Sequence, residues 1–269
     1  MGAVPGGCFL SDRGIAGGGG PGDSEVTVGG DVPPSSWVDV DQYRTSDRRV
    51  VVYEVTRPVL VLGSTQSPSV VDRRRAAGSG VAVVRRRSGG GAVYLEPGAQ
   101  EWVDVWIPRH DPCWSPEPRA TAERVGEWWA RALGGTRAAT ATATATATVE
   151  VHRGAPVPTA GERLVCFAGI GAGEVVLDGR KLVGLAQWRS REGALVHGCA
   201  YRRWDPRPIL DLLAIEGSLR RLLEATLSES VVALRELGGA PWHSDQLVAA
   251  LPPGAPWQVG SAQAPSALR

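Results

Sequence analysis

The chain of 269 residues has an apolar fraction of 43% and a formal net charge of +1, enough length for a full core and no global field that draws nucleic acid or a membrane surface. It contains no run of about 18 apolar residues, which predicts no membrane span, and its first residues lack the charged-then-apolar pattern of a secretory signal. Cys8, Cys113, Cys166 and Cys199 have no CxxC or HxxxC spacing, which predicts neither a metal cage nor a disulfide framework and makes a reducing, cytoplasmic compartment the default.

Residues 1–35 are Gly-rich without apolar periodicity, a composition that cannot offset the entropy of ordering, and read as a disordered arm before a single domain over 36–252. Two β-rich runs follow, Val50–Val55 and Val59–Leu62, with Pro58 at a strand start where its missing N–H is tolerated. Further strands are predicted at Val81–Val84, Ala92–Leu95 and Trp102–Ile107. The last alternates Trp102, Asp104 and Trp106 against Val103, Val105 and Ile107, a period of two. Val125, Trp128, Trp129, Ala132 and Leu133 fall on one helical face, with Ser115-Pro116 as a start and Gly134-Gly135 as a stop.

The alternating Ala/Thr tract of 138–148 reads as a low-complexity insertion that lengthens a strand or loop. Strands are then expected at Val149–His152, Leu164–Ala168 and Glu174–Leu177. Asp178-Gly179 signals a hairpin returning over Arg180–Leu185, and Ala194–Tyr201 forms another strand. The last third is helical: Ile209, Leu212 and Leu213 share a face, as do Leu219, Leu222, Leu223 and Leu227, and Ser244 caps a short helix carrying Leu247. Residues 253–269 read as a tail. Strands first and helices last predict an α+β domain with a mixed, largely antiparallel sheet flanked by helices.

The segment Arg85-Arg86-Arg87-Ser88-Gly89-Gly90-Gly91-Ala92 carries the strongest chemical signal. Glycines let backbone approach a ligand, and adjacent guanidinium groups suit a carboxylate or phosphate. As a bare motif, a basic strand end with a glycine turn remains the commoner outcome. Lys181 shares a strand face with Val183 and opposes Leu182; facing inward, it needs an anionic or carbonyl partner. Cys166 lies fifteen positions earlier, and a strand–turn–strand path brings the two together. It is either a small buried hydrophobe or a thiolate nucleophile. His197, at a strand end, is by itself more often structural than catalytic. Gly169–Gly173 opens no helix and is not a dinucleotide fingerprint.

In order along the chain, Pro58–Gln66, Arg85–Tyr94 (with its Arg-Arg-x-Ser-Gly-Gly-Gly-Ala-Val pattern), Asp178–Gln187 (Gly-Arg-Lys-x-x-Gly-x-Ala) and Gly193–Gly198 resemble the lipoate–protein ligase A family. This group shares its catalytic fold with biotin ligases and octanoyltransferases. The resemblance implies attachment of a lipoyl or octanoyl group to a lysine of a carrier domain, either a lipoyl domain of a 2-oxoacid dehydrogenase or a glycine-cleavage H-type protein. It implies lipoate or octanoate as substrate, ATP and Mg²⁺ as co-substrates if the chain is a ligase, and no resident metal. By resemblance, Lys181 contacts the acyl carbonyl and adenylate phosphate, while Arg86, Ser88, Gly89, Gly90, Gly91, Ala92, Gln66, Gly184 and His197 surround the acyl-adenylate. An apolar tunnel holds the acyl tail, each buried CH₂ contributing ~0.8 kcal/mol.

There are departures. Leu95, Glu96 and Ala99 stand where the family often has the His, Asp and Asn of a His-Asp-x-Gly-Asn segment, and no room is left after about residue 252 for a further adenylation domain. Cys166 followed by Gly179-Arg180-Lys181 resembles the cysteine-dependent octanoyltransferases, in which that cysteine holds the acyl group as a thioester. Three readings stay open: an acyl-adenylate-forming ligase, placed first; a Cys166-dependent transferase without ATP; and a non-catalytic acyl binder. Lys181→Ala is expected to abolish transfer with little change in thermal stability.

Overall fold

A computed structural model describes Trp37 and residues 43–134, 138–139, 146–157, 159, 161–238 and 241–264. The predicted arm over 1–35 and most of the Ala/Thr tract lie outside these residues. The elements run β1 (Arg48–Glu54), β2 (Val59–Leu62), α1 (Arg73–Gly78), β3 (Ala82–Arg85), β4 (Val93–Leu95), β5 (Gln100–Pro108) and α2 (Pro118–Ala132). Next come β6 (Ala138–Ala139) and β7 (Thr146–Ala147), which pair with each other, then β8 (Val149–Val151), β9 (Val175–Leu177), β10 (Arg180–Arg189) and β11 (Gly193–Tyr201). The chain closes with α3 (Arg207–Leu212), α4 (Gly217–Ser230), α5 (Ser244–Ala249) and β12 (Trp257–Gln263).

A seven-stranded sheet has the order β12-β1-β5-β11-β10-β9-β8, antiparallel throughout except for the β12–β1 pair; a three-stranded sheet has the order β3-β2-β4. The predicted mixed, largely antiparallel sheet flanked by helices is the observed architecture. The period of two in β5 explains why the large sheet is covered on both faces. Val103, Val105 and Ile107 join the core beneath α2 and α5, with Val125, Trp128 and Trp129. Trp102 and Trp106 join the opposite core, shared with the small sheet, α3 and α4.

Three expectations are corrected. Residues 257–263, read as tail, form β12, which pairs residue for residue with β1 from Arg48↔Trp257 to Glu54↔Gln263. This edge strand leaves most side chains exposed, so it has no apolar alternation to read. Trp257 anchors it edge-on against Trp128, ring centroids 5.3 Å apart. Leu164–Ala168 is not a strand: of these residues Val165 alone makes a bridge, to Ala92, and Cys166–Ala168 winds into one 3₁₀ turn. Helix α2 begins at Pro118 rather than beside Pro116, because proline at the first helical position needs no N–H partner there.

Candidate active site

The Asp178-Gly179 turn has φ of 49° and 77°, the paired positive values of a tight hairpin turn suited to right-twisted strands. It sends the chain from β9 into β10, where the register slips between Lys181 and Val183. This bulge breaks the period of two. Leu182 and Val183 both enter the core beneath α2, so Val183 does not share the Lys181 face. Lys181 turns the other way, its Nζ 5.0 Å from the Phe167 ring centroid.

Lys181 is 1% exposed. Its ammonium donates to Cys166 O (2.7 Å) and Gly169 O (3.0 Å) and pairs with Glu174 Oε1 at 2.7 Å. Those three partners match the three donors of an ammonium. Glu174, 4% exposed, also accepts N–H bonds from Gly171 (2.7 Å) and Leu185 (3.0 Å). The pair therefore ties the Cys166–Gly169 turn to β10 and the turn before β9. A buried charge pair of this kind is structural as well as chemical, and it makes a loss of stability the expected result of removing Lys181, in place of the little change expected from the sequence. Sequence reasoning passed over Glu174 as a site residue. Its signal was a carboxylate directly after a Gly-x-Gly turn and seven residues before the one lysine of interest.

Of the three arginines ahead of the glycines, Arg85 and Arg86 turn their guanidinium groups to backbone carbonyls rather than to a ligand. Arg85 donates to the carbonyls of Gly63 (2.7 Å), Ser64 (3.0 Å) and Gln66 (2.8 Å). Arg86 donates to Gly89 O (2.7 Å), Gly91 O (2.9 Å), Val61 O (3.3 Å) and Ser88 Oγ (3.0 Å). Arg87 lies over the Trp188 ring, 5.5 Å from its centroid. Arg85 and Arg86 thus build the loop from behind. Burial pulls the Arg86 pKa down from its ordinary value, and the nearby Cys166 and Cys199 act in the opposite direction.

The glycine loop is pressed against two neighbours. A Cβ on Gly63 would lie 1.9 Å from Gly90 O, and one on Gly91 would lie 2.6 Å from Val165 C and 2.7 Å from Cys166 N. Two backbone bonds of 2.9 Å, Ala92 N–H to Leu164 O and Cys166 N–H to Ala92 O, stitch the loop to the Cys166 turn. Gln66 adds a brace, donating to Arg163 O (2.9 Å) and Leu164 O (3.2 Å) while accepting from Gly63 N–H (2.9 Å).

These contacts frame an open cleft of about 790 Å³ lined by Gln66, Gly89, Gly90, Gly91, Cys166, Lys181 and Glu174, among others. Behind it is a narrow slot of about 10 Å³, room for roughly one water, lined by Arg86, Val93, Trp102, Phe167, Gly184, Leu185, His197 and Cys199. Cys166 borders both spaces. The tunnel expected for an acyl tail is therefore closed to this width, and a chain entering it must move side chains aside. Ser88 (1% exposed) and Ala92 (0%) line neither space and lie beneath the loop. Gly184 leaves room for Phe167, whose ring would meet a Cβ there at 3.1 Å. Glu96 and Ala99 line a separate cavity with Tyr201 and Trp204, away from the cleft.

His197 sits across from Asp104 in the β5–β11 ladder. Its Nδ1 bonds Asp104 Oδ1 at 2.7 Å. Asp104 also accepts Trp102 Nε1–H (2.8 Å) and Tyr43 O–H (3.2 Å). Neither Asp104 nor Tyr43 was singled out from sequence, although the Trp-Val-Asp-Val-Trp alternation places a carboxylate on a face of aromatic residues.

A glycine loop, a buried lysine and a cysteine thus meet at one cleft of this two-sheet fold. The sequence model of the lipoyl protein ligase A/B catalytic domain matches residues 39–253, and the chain belongs to this family. Over 104 residues it is 36% identical to octanoyltransferase LipM of Kyrpidia tusciae, and the match covers 38% of this chain and 38% of that protein. The fold is similar to that of a bi-partite lipoate protein ligase of Thermoplasma acidophilum, with a TM-score of 0.53 at 17% identity over 78% of this chain and 71% of that one. It is also similar to protein Ta0514 of T. acidophilum, solved with lipoic acid, with a TM-score of 0.51 at 15% identity over 77% of this chain and 72% of that one.

Proposed function

We propose that this chain is an acyltransferase that moves a medium-chain acyl group, octanoyl or lipoyl, through a thioester on Cys166 to a lysine of a lipoyl carrier domain, without ATP. The observation that carries the reading is the place of Cys166: half-buried, at the junction of the open cleft and the slot, with its carbonyl held by Lys181. The resemblance to an octanoyltransferase at 36% identity supports it. In the first step the Cys166 sulfur attacks the carbonyl of an acyl thioester, the donor's C–S bond breaks, and the thiol proton leaves with the donor thiolate. In the second, the carrier lysine's amine attacks the Cys166 thioester, an amide forms, and the proton released by the amine returns to the Cys166 sulfur.

Lys181 supplies positive charge at the cleft wall beside the carbonyl oxygen that gains charge in both steps. To reach that oxygen its Nζ exchanges one carbonyl partner for the substrate. A lipoyl domain of a 2-oxoacid dehydrogenase or a glycine-cleavage H-type protein is the acceptor this chemistry calls for. A thiol nucleophile needs a reducing compartment, which for this chain is the cytoplasm.

The adenylate route, placed first on sequence, is less well served by the cleft. Its lining sets Arg163 and Lys181 against Glu162 and Glu174, and Glu174 already balances Lys181. The phosphates of a nucleoside triphosphate would face those two carboxylates as well as the two cations. The test is carrier modification by wild type and Cys166→Ala, with an octanoyl thioester alone and with octanoate plus ATP and Mg²⁺. The reading expects wild-type transfer from the thioester alone and none by Cys166→Ala. Transfer that needs ATP and survives Cys166→Ala overturns it in favour of the ligase.

A further inference from the structure

Strand β12 closes one end of the seven-stranded sheet, and among the described residues its neighbour is β1 alone. An edge strand exposes a row of unpaired N–H and C=O groups, and proteins blunt it with charge, proline, a bulge or short length. Residues 257–263, Trp-Gln-Val-Gly-Ser-Ala-Gln, hold no charge and no proline, and all seven pair with β1 without a break in register. The other end of the sheet differs: β8 has three residues with Glu150 exposed at its middle. On β12, Val259 is 54% exposed.

The ladder decides which backbone groups of β12 are unpaired. Ala264 N–H donates to Glu54 O at 2.8 Å. By the alternation of a strand, Gln258, Gly260 and Ala262 also turn their backbone groups to β1, and Trp257, Val259, Ser261 and Gln263 turn theirs outward. In an antiparallel pair, residues that exchange hydrogen bonds stand directly opposite each other. A second copy of the strand, related by a two-fold axis, must therefore set outward residues against outward residues. One such register overlaps the whole strand. It puts Gly260 on the axis, Val259 opposite Ser261 of the second copy and Trp257 opposite Gln263 of the second copy. Gly260 then meets its own symmetry mate as a non-hydrogen-bonded pair, where Cα atoms approach to about 4.5 Å and side chains crowd; glycine brings no side chain to that point. The pairing runs for about 23 Å and forms about eight backbone hydrogen bonds.

We propose that this protein forms a two-fold dimer by antiparallel pairing of β12 with β12 of a second copy, joining two seven-stranded sheets into one. A second copy fits this edge because the strand is complementary to itself: its outward donors and acceptors satisfy one another, and no like charges face each other. An isologous contact closes with two copies, so it yields a dimer and not a filament. One strand pair buries less than the ~1,600 Å² of a standard interface, so the dimer is reversible and its population follows protein concentration. The acyl-transfer reading has no part in this inference.

Sedimentation velocity of the full-length protein from about 1 to 300 μM tests it, and wild type is expected to pass from monomer to dimer over that range. Ser261→Pro removes an outward N–H without touching the β1 ladder, and Val259→Lys adds the charge that edge strands ordinarily carry. Each is expected to weaken dimerisation by about tenfold or more with the melting temperature unchanged. Gly260→Cys is expected to cross-link two copies under mild oxidation, mapped by peptide mass, because the Cα spacing across the axis suits a disulfide; Gln258→Cys, roughly 14 Å from its symmetry mate, is not. A monomer at every concentration overturns the inference, whether the edge stays open or another segment of the same chain covers it. So does a dimer that both variants leave intact, or one that cross-links through Gln258→Cys in preference to Gly260→Cys. If Ser261→Pro does not fold, Val259→Lys and the cross-linking pair decide.

Discussion

Replacing Lys181 by methionine keeps the aliphatic stem against Phe167 and deletes the ammonium. The change leaves the Glu174 carboxylate buried with two backbone N–H partners and no counter-charge, and strips the donor from Cys166 O and Gly169 O. Removing one partner of a buried ion pair costs about 3–5 kcal/mol. In a domain of this size each kcal/mol moves the melting temperature by about 2–4 °C, so a fall of roughly 10 °C is expected. Thermal and urea unfolding of Lys181→Met, Glu174→Gln and the double variant measure it. The double variant should lose less than the sum of the singles, by about 1 kcal/mol or more, because the second change removes a charge the first has stranded. A Lys181→Met protein within about 1 kcal/mol of wild type, or strict additivity, would refute the argument that this pair holds the turn of Cys166 to β10.

Three further outcomes are expected. Gly91→Ala places a Cβ against Val165 and Cys166 backbone, which cannot yield, and should cost about 1–3 kcal/mol with loss of transfer; Gly89→Ala, with no atom within 4 Å of its Cβ, should unfold like wild type. Asp104→Leu should release the His197 ring and leave Tyr43 and Trp102 without their shared acceptor, lowering stability by about 2 kcal/mol or more in urea unfolding. Iodoacetamide at pH 8, mapped by peptide mass, should modify Cys166 well before Cys199. Burial, followed by the neighbouring Cys166, holds the Cys199 pKa well above its ordinary value, and a raised thiol pKa means less thiolate at any pH.

The parts of the fold that were legible are those where one face decides. The β5 alternation, the α2 stripe and the Asp178-Gly179 hairpin each encode a local rule that tertiary contacts reinforce rather than oppose. The convergence of the glycine loop, Lys181 and Cys166 was legible through motif order. What the residues did not reveal follows from non-local geometry. Strand β12 is held by backbone pairing and one tryptophan, and α1, with Arg73-Arg74-Arg75 and no apolar stripe, is set by its Asp72 cap. The bulge at Lys181 decided which way that lysine faces, and a bulge has no signature in a run of Arg-Lys-Leu-Val. Arg85 and Arg86 looked like ligand groups because guanidinium suits an anion, but backbone carbonyls take their donors first, those of the Gly63–Gln66 turn for Arg85 and those of the glycine turn for Arg86.

The central claim is that Cys166 carries the acyl group. Intact-mass measurement of the protein seconds after mixing with an octanoyl thioester, in the absence of ATP and acceptor, tests it most directly. The account predicts one octanoyl addition, mapped to the Cys166 peptide, reversed by hydroxylamine and passed on when a lipoyl carrier domain is added. An unmodified protein that nevertheless transfers the acyl group to the carrier, or an adduct on any other residue, contradicts it.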